Sequence, residues 1–224
     1  MKENIVETLL PFFLPGIKLT IIISFSAILI SLITGLFLGL MYVSKNKIIH
    51  NIAYIYIKIF RNTPFMVQVY LIYFGLRPVL GLQNFSAAVI GTAALALYTT
   101  AYVAVILESG LRSVPKGQYE SAEVLNIPYF TAFFRIILPQ VFTVIIPSLT
   151  GQLIMTVKES SVLTVISVAE LTNKTYTATN ETAIESFEIF IVAGCVYWAI
   201  NFIIEIISKS AEKKASKYQL QGGR

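Results

Sequence analysis

The chain has 224 residues, of which 56% are hydrophobic and only 13% are charged, and its mean hydropathy is +0.74. Soluble domains carry about 25% charged residues, so a soluble fold of this size would lack about half of its usual surface charge. The composition therefore excludes an ordinary soluble domain and indicates an all-α integral membrane protein.

Five apolar segments are long enough for a transmembrane helix, which needs about 20 apolar residues. The first segment predicts a retained helix and not a secretory signal, because it exceeds a signal core and lacks a small-residue cleavage site. A more amphipathic stretch, 47–61, precedes the second segment. The sequence thus predicts one transmembrane domain over residues 1–224, with spans at about 17–43, 63–80, 86–107, 134–157 and 187–208.

The Lys and Arg residues indicate the orientation of these spans. They form short clusters between apolar runs and no basic stripe interleaved with aromatics, so we expect no nucleic-acid partner. Positive residues concentrate in cytoplasmic loops. An outer N-terminus and a cytoplasmic C-terminus place twelve of the seventeen positive residues inside: Lys45, Lys47, Lys58, Arg61, Arg112, Lys116, Arg135, Lys209, Lys213, Lys214, Lys217 and Arg224.

The stretch 158–186 is too polar to face lipid and too long for a simple turn. Within it, residues 162–171 are apolar but too few to span the bilayer. Irregular backbone at membrane depth has to be buried in protein or line a cavity. Two interpretations stay open here: a partial helix that gates a pathway, and an outer loop that packs on the bundle.

The chain lacks the residues that common catalytic sites require. It contains no Gly-Lys dipeptide, so it has no phosphate-binding loop of the Gly-x-x-x-x-Gly-Lys type. Its one cysteine, Cys195, lies in an apolar run, and its one histidine, His50, lies in a basic loop, so neither predicts a metal site. We therefore expect a chain that is not an enzyme and that holds no cofactor or metal of its own.

The segment 114–133, between the third and fourth spans, carries the clearest functional signal. Residues 118–125 are good helix formers, and the small pair Ser121 and Ala122 leaves a shallow face that another protein could approach. Asn126 tolerates the left-handed conformation that ends a helix, and Pro128 prevents its continuation. The sequence predicts a short cytoplasmic helix suited to docking.

This segment resembles the permease subunits of ABC importers, specifically the polar amino-acid branch. The hallmark of these permeases is Glu-Ala-Ala, three residues, Gly, nine residues and Ile-x-Leu-Pro. Here Ser replaces the first Ala, and Asn replaces the Gly. Asn, like Gly, is a residue that stops helices. The residues that match the hallmark positions, and that the resemblance assigns to ATPase coupling, are Glu120, Ser121, Ala122, Asn126, Ile136, Leu138 and Pro139.

Four further stretches are similar to the same family. One is Phe60-Arg-Asn-Thr-Pro-Phe-Met-Val-Gln68, with Asn62 where Gly is common. Two others are 99–103 and 110–118, and the fourth begins at Lys158-Glu-Ser-Ser-Val-Leu. Together the motifs cover most of the chain from about residue 60 to 171, in the family's order.

The resemblance implies a type I ABC importer permease fold in the bacterial cytoplasmic membrane. Two permease subunits, as a homodimer or a heterodimer, would surround a shared pathway within the membrane lipid. A dimer of ATP-binding cassette ATPase subunits would bind ATP and Mg and hold the short coupling helices. An extracytoplasmic binding protein would deliver the amino acid.

Polar residues inside the spans are candidates for the substrate pathway, because charges within the membrane usually face a pathway or a partner. Glu159 is the first candidate, and we expect it to attract a positive group of the substrate. Two purely structural roles are the alternatives: a local ion pair with Lys158, or a cap for the segment that follows. The other candidates, which could instead bond between helices, are Lys158, Ser160, Ser161, Gln68, Tyr98, Thr99 and Gln152.

Seven acidic residues face five basic ones on the outer side in this orientation. This balance favours a basic amino acid such as arginine, lysine or histidine, although glutamine or cystine uptake would fit the same motifs. An ion-gradient-driven transporter or channel would also explain the spans, but it would not explain the pattern from Glu120 to Pro139. A membrane scaffold without transport is a second alternative.

Overall fold

The computed structural model describes residues 5–221, and within the last helix no side chain at 211 or 214–221 is described. Arg224 therefore lies outside the described residues, as do the side chains of Lys214 and Lys217. The described part is all helical, which confirms the expected fold class. Its eight helices are α1 (Ile5–Tyr42), α2 (Lys47–Asn62), α3 (Phe65–Val79), α4 (Ala87–Ser113), α5 (Lys116–Val124), α6 (Tyr129–Ile166), α7 (Leu171–Glu181) and α8 (Ser186–Gln221).

Four of these helices, α1, α4, α6 and α8, are long and apolar enough to cross a membrane, and α3 is a shorter apolar helix. Helix α1 begins at Ile5, well before the predicted start of the first span at residue 17. Pro11 and Pro15 lie inside it. Leu9 and Phe13 pack into a buried cluster with residues of α7 and α8, so tertiary contacts hold this first part of the helix.

Helices α1 and α4 run parallel and approach each other closely through two glycines. A Cβ added at Gly35 would lie 2.6 Å from Val103 Cγ1, and one added at Gly39 would lie 2.9 Å from Leu107 Cδ2. The hydroxyls of Thr34 and Thr100 are 2.7 Å apart and join the two helices between these contacts. Small residues thus allow tight packing where lipid offers no hydrophobic driving force.

The predicted second span is part of a longer helical limb that is interrupted at Thr63 and Pro64. The limb comprises α2, which packs on α4 through Ala53 and Ile57, and α3. Proline lacks the N–H that a continuous helix requires, so carbonyls at the end of α2 lose their helical donors. Gln68 Nε2 replaces these donors, because it lies 2.9 Å from the Phe60 carbonyl and 3.0 Å from that of Thr63.

Two helices contain a π-helical turn shortly before a proline. In α3 the turn covers Leu71–Leu76 and precedes Pro78, and in α6 it covers Phe133–Ile137 and precedes Pro139. A proline cannot donate to the carbonyl four residues earlier, and its ring crowds that carbonyl. The wider π turn accommodates both effects within an unbroken helix.

Helix α6 runs antiparallel to α4. The hydroxyls of Thr99 and Thr156 are 3.3 Å apart, and Gly91 of α4 faces the side chain of Leu163. This register places Glu159 beside the middle of α4. The helix also continues past the predicted span end at 157, because Ser160 and Ser161 bond back to carbonyls of their own helix, at 2.8 and 2.6 Å.

The stretch 158–186 packs on the bundle. It begins with the 3-10 segment Ser160–Ile166, in which Leu163 and Ile166 are buried in the core. Ser167 then adopts a left-handed φ of 60°, and α7 follows. The structure therefore contains both the partial helix and the packing on the bundle that the sequence left as alternatives. The partial helix is followed by a helix, α7, that packs against α1 and α8.

Candidate functional site

A polar cluster lies at the level where Glu159 faces the middle of α4. The Tyr98 and Tyr102 hydroxyls are 3.0 Å apart, and the Tyr98 ring stands 4.7 Å from the ring of Phe65, at the start of α3. Arg61, at the end of α2, places its guanidinium 5.2 Å from the centre of the Tyr102 ring. Arg61 thus adjoins the tyrosine pair, and Glu159 lies within electrostatic range of Tyr98.

The Glu159 carboxylate is half-buried, and no side chain in the described part of the chain bonds to it. It forms no ion pair with Lys158, and it does not cap the 3-10 segment that follows. The structure therefore shows neither of the two structural roles, the ion pair or the cap. An ionisable group at membrane depth with no hydrogen bond or salt bridge is free to meet a ligand.

The other predicted pathway residues divide into two groups. Tyr98 lies within electrostatic range of Glu159, whereas Thr99 bonds to Thr156 and so joins α4 to α6. The hydroxyls of Ser160 and Ser161 and the side-chain amide of Gln68 donate hydrogen bonds to nearby backbone carbonyls. Gln152 is half-buried on α6. Lys158 is exposed and lines a different groove, between α6 and α8.

Sequence reasoning did not select Arg61 and Tyr102. They line a cavity of about 330 Å³ together with Tyr42, Tyr54, Ile57, Lys58 and Asn62. The available signal was Arg61 itself, a charge immediately before the Asn-Thr-Pro sequence that interrupts the helical limb. The sequence places Arg61 among the cytoplasmic positive residues and in the family-like stretch 60–68, but its approach to the tyrosines depends on packing and is not apparent from hydropathy.

The predicted coupling segment folds into a short helix, α5, that ends at a left-handed residue. Asn126 has a φ of 52°. Its N–H donates to the Glu123 carbonyl at 2.9 Å, and the N–H of Ile127 donates to the Ala122 carbonyl, also at 2.9 Å. This pair of bonds is a Schellman motif. The substitution of Asn for the family's Gly therefore keeps the abrupt helix end.

The exposed face of α5 has a polar patch next to an apolar patch. Glu120 and Ser121 are exposed, while Ala122 is buried against the base of α6. Val124 and Leu125 are 80% and 70% exposed. Exposure of adjacent apolar side chains to water is unfavourable unless a partner covers them. A groove of about 470 Å³ lies alongside, lined by Lys45, Tyr119, Ala122, Glu123, Ile127, Tyr129, Ala132, Phe133 and Ile137.

The last three hallmark residues lie behind this surface. Ile136 packs against a buried cluster that includes Leu107, Leu111 and Ile137 and ties the base of α6 to α4. Leu138 and Pro139 begin the regular part of α6. A movement of α5 would therefore be transmitted to two long helices through these contacts.

Comparison with known proteins gives consistent results. The family model "binding-protein-dependent transport system inner membrane component" matches residues 27–217. The arginine transport system permease protein ArtQ of Bacillus subtilis (strain 168) is 36% identical over 92% of this chain and 93% of its own length. A putative glutamine transport system permease protein, GlnP of Rickettsia typhi, is 34% identical over 91% of this chain and 92% of its own.

A solved structure agrees with these relatives. The crystal structure of an amino acid ABC transporter with histidines contains a chain that is 33% identical. The two folds superpose with a TM-score of 0.82, and the match covers 91% of this chain and 94% of the other.

Proposed function

Since the chain belongs to the family of binding-protein-dependent transport system inner membrane components, we infer that it is the permease subunit of an ATP-driven importer of polar amino acids. It is a multi-pass inner-membrane protein and not an enzyme. A separate ATPase subunit and a binding protein are its partners. We propose further that the ATPase dimer binds the ATP and Mg, that a second permease completes the pathway, and that the N-terminus is outside and the C-terminus cytoplasmic.

A basic amino acid is the substrate that the polar cluster fits best. The observation that carries this proposal is the Glu159 carboxylate, which is half-buried beside Tyr98 and has no bonded partner among the described residues. Burying an unpaired charge is unfavourable, so a cationic group that moves along the pathway gains by meeting it. Arginine, lysine and histidine offer such a group, and the arginine permease ArtQ is among the relatives.

Arg61 supplies the complementary charge for the other end of an amino acid. Its guanidinium rests on the Tyr102 ring and has no carboxylate partner in the described structure. A guanidinium binds a carboxylate through a planar fork of N–H donors. We therefore assign the substrate's α-carboxylate to Arg61 and its positive group to Glu159, with the bonded pair Tyr98 and Tyr102 between them.

Coupling to the ATPase belongs to α5. Glu120 and Ser121 form the polar part of the docking face, and the exposed Val124 and Leu125 form its apolar part. Asn126 fixes the direction in which the helix ends. Ala122, Ile136, Leu138 and Pro139 connect this face to α4 and α6, so they transmit movement and do not contact the partner.

The substrate proposal is tested by uptake into proteoliposomes that hold the permease, its ATPase and the loaded binding protein. We expect Glu159→Gln to lower arginine uptake roughly tenfold or more, because a bond to a charged group contributes about 1.5–3 kcal/mol. Glu188→Gln removes an exposed carboxylate from the start of α8 and serves as the matched control.

Two results would contradict the proposal. One is arginine uptake that is equal in Glu159→Gln and in the control. The other is a native complex that takes up glutamine but neither arginine, lysine nor histidine.

A further inference from the structure

The cavity beside Tyr102 carries more positive charge than the pathway proposed above uses. It has a volume of about 330 Å³, and Lys58 and Arg61 both line it, whereas none of its described lining residues is acidic. Arg61 already has a role as the site of the substrate's α-carboxylate, but Lys58 has none. We call this space the α2 cavity.

Helix α2 has three faces of different character. One face packs on α4 through Ala53 and Ile57. Another carries Tyr54, Lys58 and Arg61, which follow one another at intervals of four and three residues and so lie on one side of the helix. The remaining face carries four isoleucines that are each more than half exposed: Ile48, Ile52, Ile55 and Ile59. Lipid can cover these isoleucines, while the face with the two cations lines the α2 cavity.

Lys58 lies at the level of the middle of α4. The Tyr56 hydroxyl, two residues earlier, donates to the Leu97 carbonyl at 2.8 Å, and Leu97 lies near the middle of that helix. Ile57 packs in a buried cluster with Ala104 of α4. Because an ammonium at membrane depth faces a pathway or a partner, the α2 cavity belongs to a hydrophilic route and is not a lipid-facing cleft.

Lys58 and Arg61 are held in the same way. Lys58 Nζ lies 5.4 Å from the centre of the Tyr54 ring, and the Arg61 guanidinium lies 5.2 Å from that of Tyr102. Neither cation forms a salt bridge with a carboxylate in the described part of the chain. A tyrosine ring attracts a cation through its π face, so the N–H donors of both side chains stay available to an anion.

We propose that Lys58 is a second carboxylate site, which takes the α-carboxylate of the amino acid from Arg61 as the amino acid leaves the polar cluster. The two residues are three positions apart, about 4.5 Å along a helix, so one carboxylate can bond to both cations during the transfer. The proposal rests on the importer function proposed above and adds a release site to it. It does not depend on which amino acid is carried, because every amino acid has the α-carboxylate.

The far end of the α2 cavity lies towards the start of α2. Tyr42, the last residue of α1, lines this end, and His50 stacks on it with the ring centres 5.1 Å apart. The cavity thus extends from Arg61 towards the connection between α1 and α2. Since the proposed orientation places that connection on the cytoplasmic side, a carboxylate that moves from Arg61 to Lys58 moves in the direction of import.

Uptake of arginine and of glutamine into proteoliposomes tests the release site. Each preparation holds the permease, its ATPase and the loaded binding protein. We expect Lys58→Gln to lower uptake of the transported amino acid roughly tenfold, because a bond between two charged groups is lost, and Lys58→Arg to retain most of it. Lys47→Gln removes an exposed lysine of the same helix that does not line the cavity, so uptake should be unchanged. The proposal is overturned if Lys58→Gln equals this control, or if Lys58→Arg is no better than Lys58→Gln.

A labelling experiment in nanodiscs measures the charge of the α2 cavity without transport. Asn62→Cys places a thiol in the cavity lining, in a chain whose own thiol is removed by Cys195→Ser. A thiol reagent that carries a sulfonate should react about tenfold faster than one that carries a trimethylammonium group, because two cations attract the anionic reagent. Lys58→Gln should lower this ratio severalfold, whereas Lys47→Gln should not change it.

Two labelling results would overturn the proposal. One is no reaction with either reagent, which would show that water does not enter the cavity, and the other is a ratio that Lys58→Gln leaves unchanged. Failure of the importer function is distinguishable from these. A native complex without ATP-dependent uptake refutes the importer and the release site with it, whereas native uptake that Lys58→Gln leaves intact refutes the release site alone.

Discussion

Glu170 joins α7 to α8 through one buried carboxylate, beside a contact between α7 and α1. It precedes α7, is fully buried, and accepts the N–H groups of Thr172 and Asn173 at 2.9 and 2.8 Å. The Tyr197 hydroxyl of α8 donates to it at 2.8 Å. Thr20 of α1 accepts the N–H of Leu171 immediately beside it, at 3.0 Å. Glu170 thus caps α7 and fixes it to the bundle.

Burial raises the pKa of Glu170 above its ordinary value, and the hydrogen bonds from Thr172, Asn173 and Tyr197 oppose this shift without cancelling it. The folded chain therefore holds this proton more tightly than the unfolded chain does. Stability from this group is fully present below the unfolded pKa and is lost as pH rises through the folded pKa.

We expect Glu170→Gln to remove this pH dependence and to keep the fold, because the amide oxygen can keep the two bonds made to Oε2, from Thr172 and Tyr197, at the loss of the bond from Asn173 to Oε1. Glu170→Ala should lower the free energy of unfolding by about 2 kcal/mol, because it removes the cap of α7 and the carboxylate acceptor of the Tyr197 hydroxyl, which keeps its bond with Thr172 Oγ1. Thermal unfolding in detergent at acidic and neutral pH measures both. An alanine variant as stable as the wild type would show that Glu170 does not hold α7.

At the scale of single elements, the end of α5 depends on one backbone conformation. Asn126 occupies the left-handed region with a φ of 52°. Glycine adopts that region without strain, whereas a β-branched residue at a sparsely populated conformation costs about 1–3 kcal/mol.

We expect Asn126→Gly to preserve ATPase binding and uptake. Asn126→Val should weaken ATPase binding, because the helix no longer ends at the same point and its exposed face is displaced. Co-purification of the ATPase with each variant measures the effect. Equal ATPase binding by the valine and glycine variants would show that coupling does not require the Schellman motif.

Much of the element structure was predictable from the sequence because hydropathy and helix-stop residues act locally. The all-helical membrane fold was correct, and residues 116–124 form the helix expected within 114–133. The sequence separates the stretch 47–61 from the span that begins at 63, but it does not predict that Gln68 bonds back across this boundary to Phe60 and Thr63. Arg61 was overlooked for the same reason.

The site shows the same limit. Glu159 was selected as an intramembrane charge near the end of the fourth span, and it is the last residue of the α-helical part of α6. The structure continues α6 to Ile166 and sets Glu159 beside the middle of α4. The predicted span ends at 157, short of Ser160 and Ser161, whose hydroxyls bond to carbonyls of the preceding turn and so make these polar residues compatible with the helix.

At the scale of the whole molecule, the described helices connect the exposed face of α5, which we propose as the docking surface, to an intramembrane cluster. Helix α5 rests on the base of α6, whose buried contacts with α4 continue along both helices to Thr99 and Thr156. Tyr98 and Glu159 adjoin that pair on the two helices. A tilt imposed on α5 by an ATPase would therefore change the relative position of the groups that we assign to the substrate.

The most direct measurement is ATP hydrolysis and amino-acid uptake by this chain, co-expressed with its ATPase and reconstituted in liposomes with the binding protein. We expect the two activities to appear together and Glu120→Arg to uncouple or dissociate the complex. Lys47→Glu, a charge reversal at the exposed start of α2, should leave both activities intact. Uptake that follows an ion gradient, with no ATPase bound, would contradict the account.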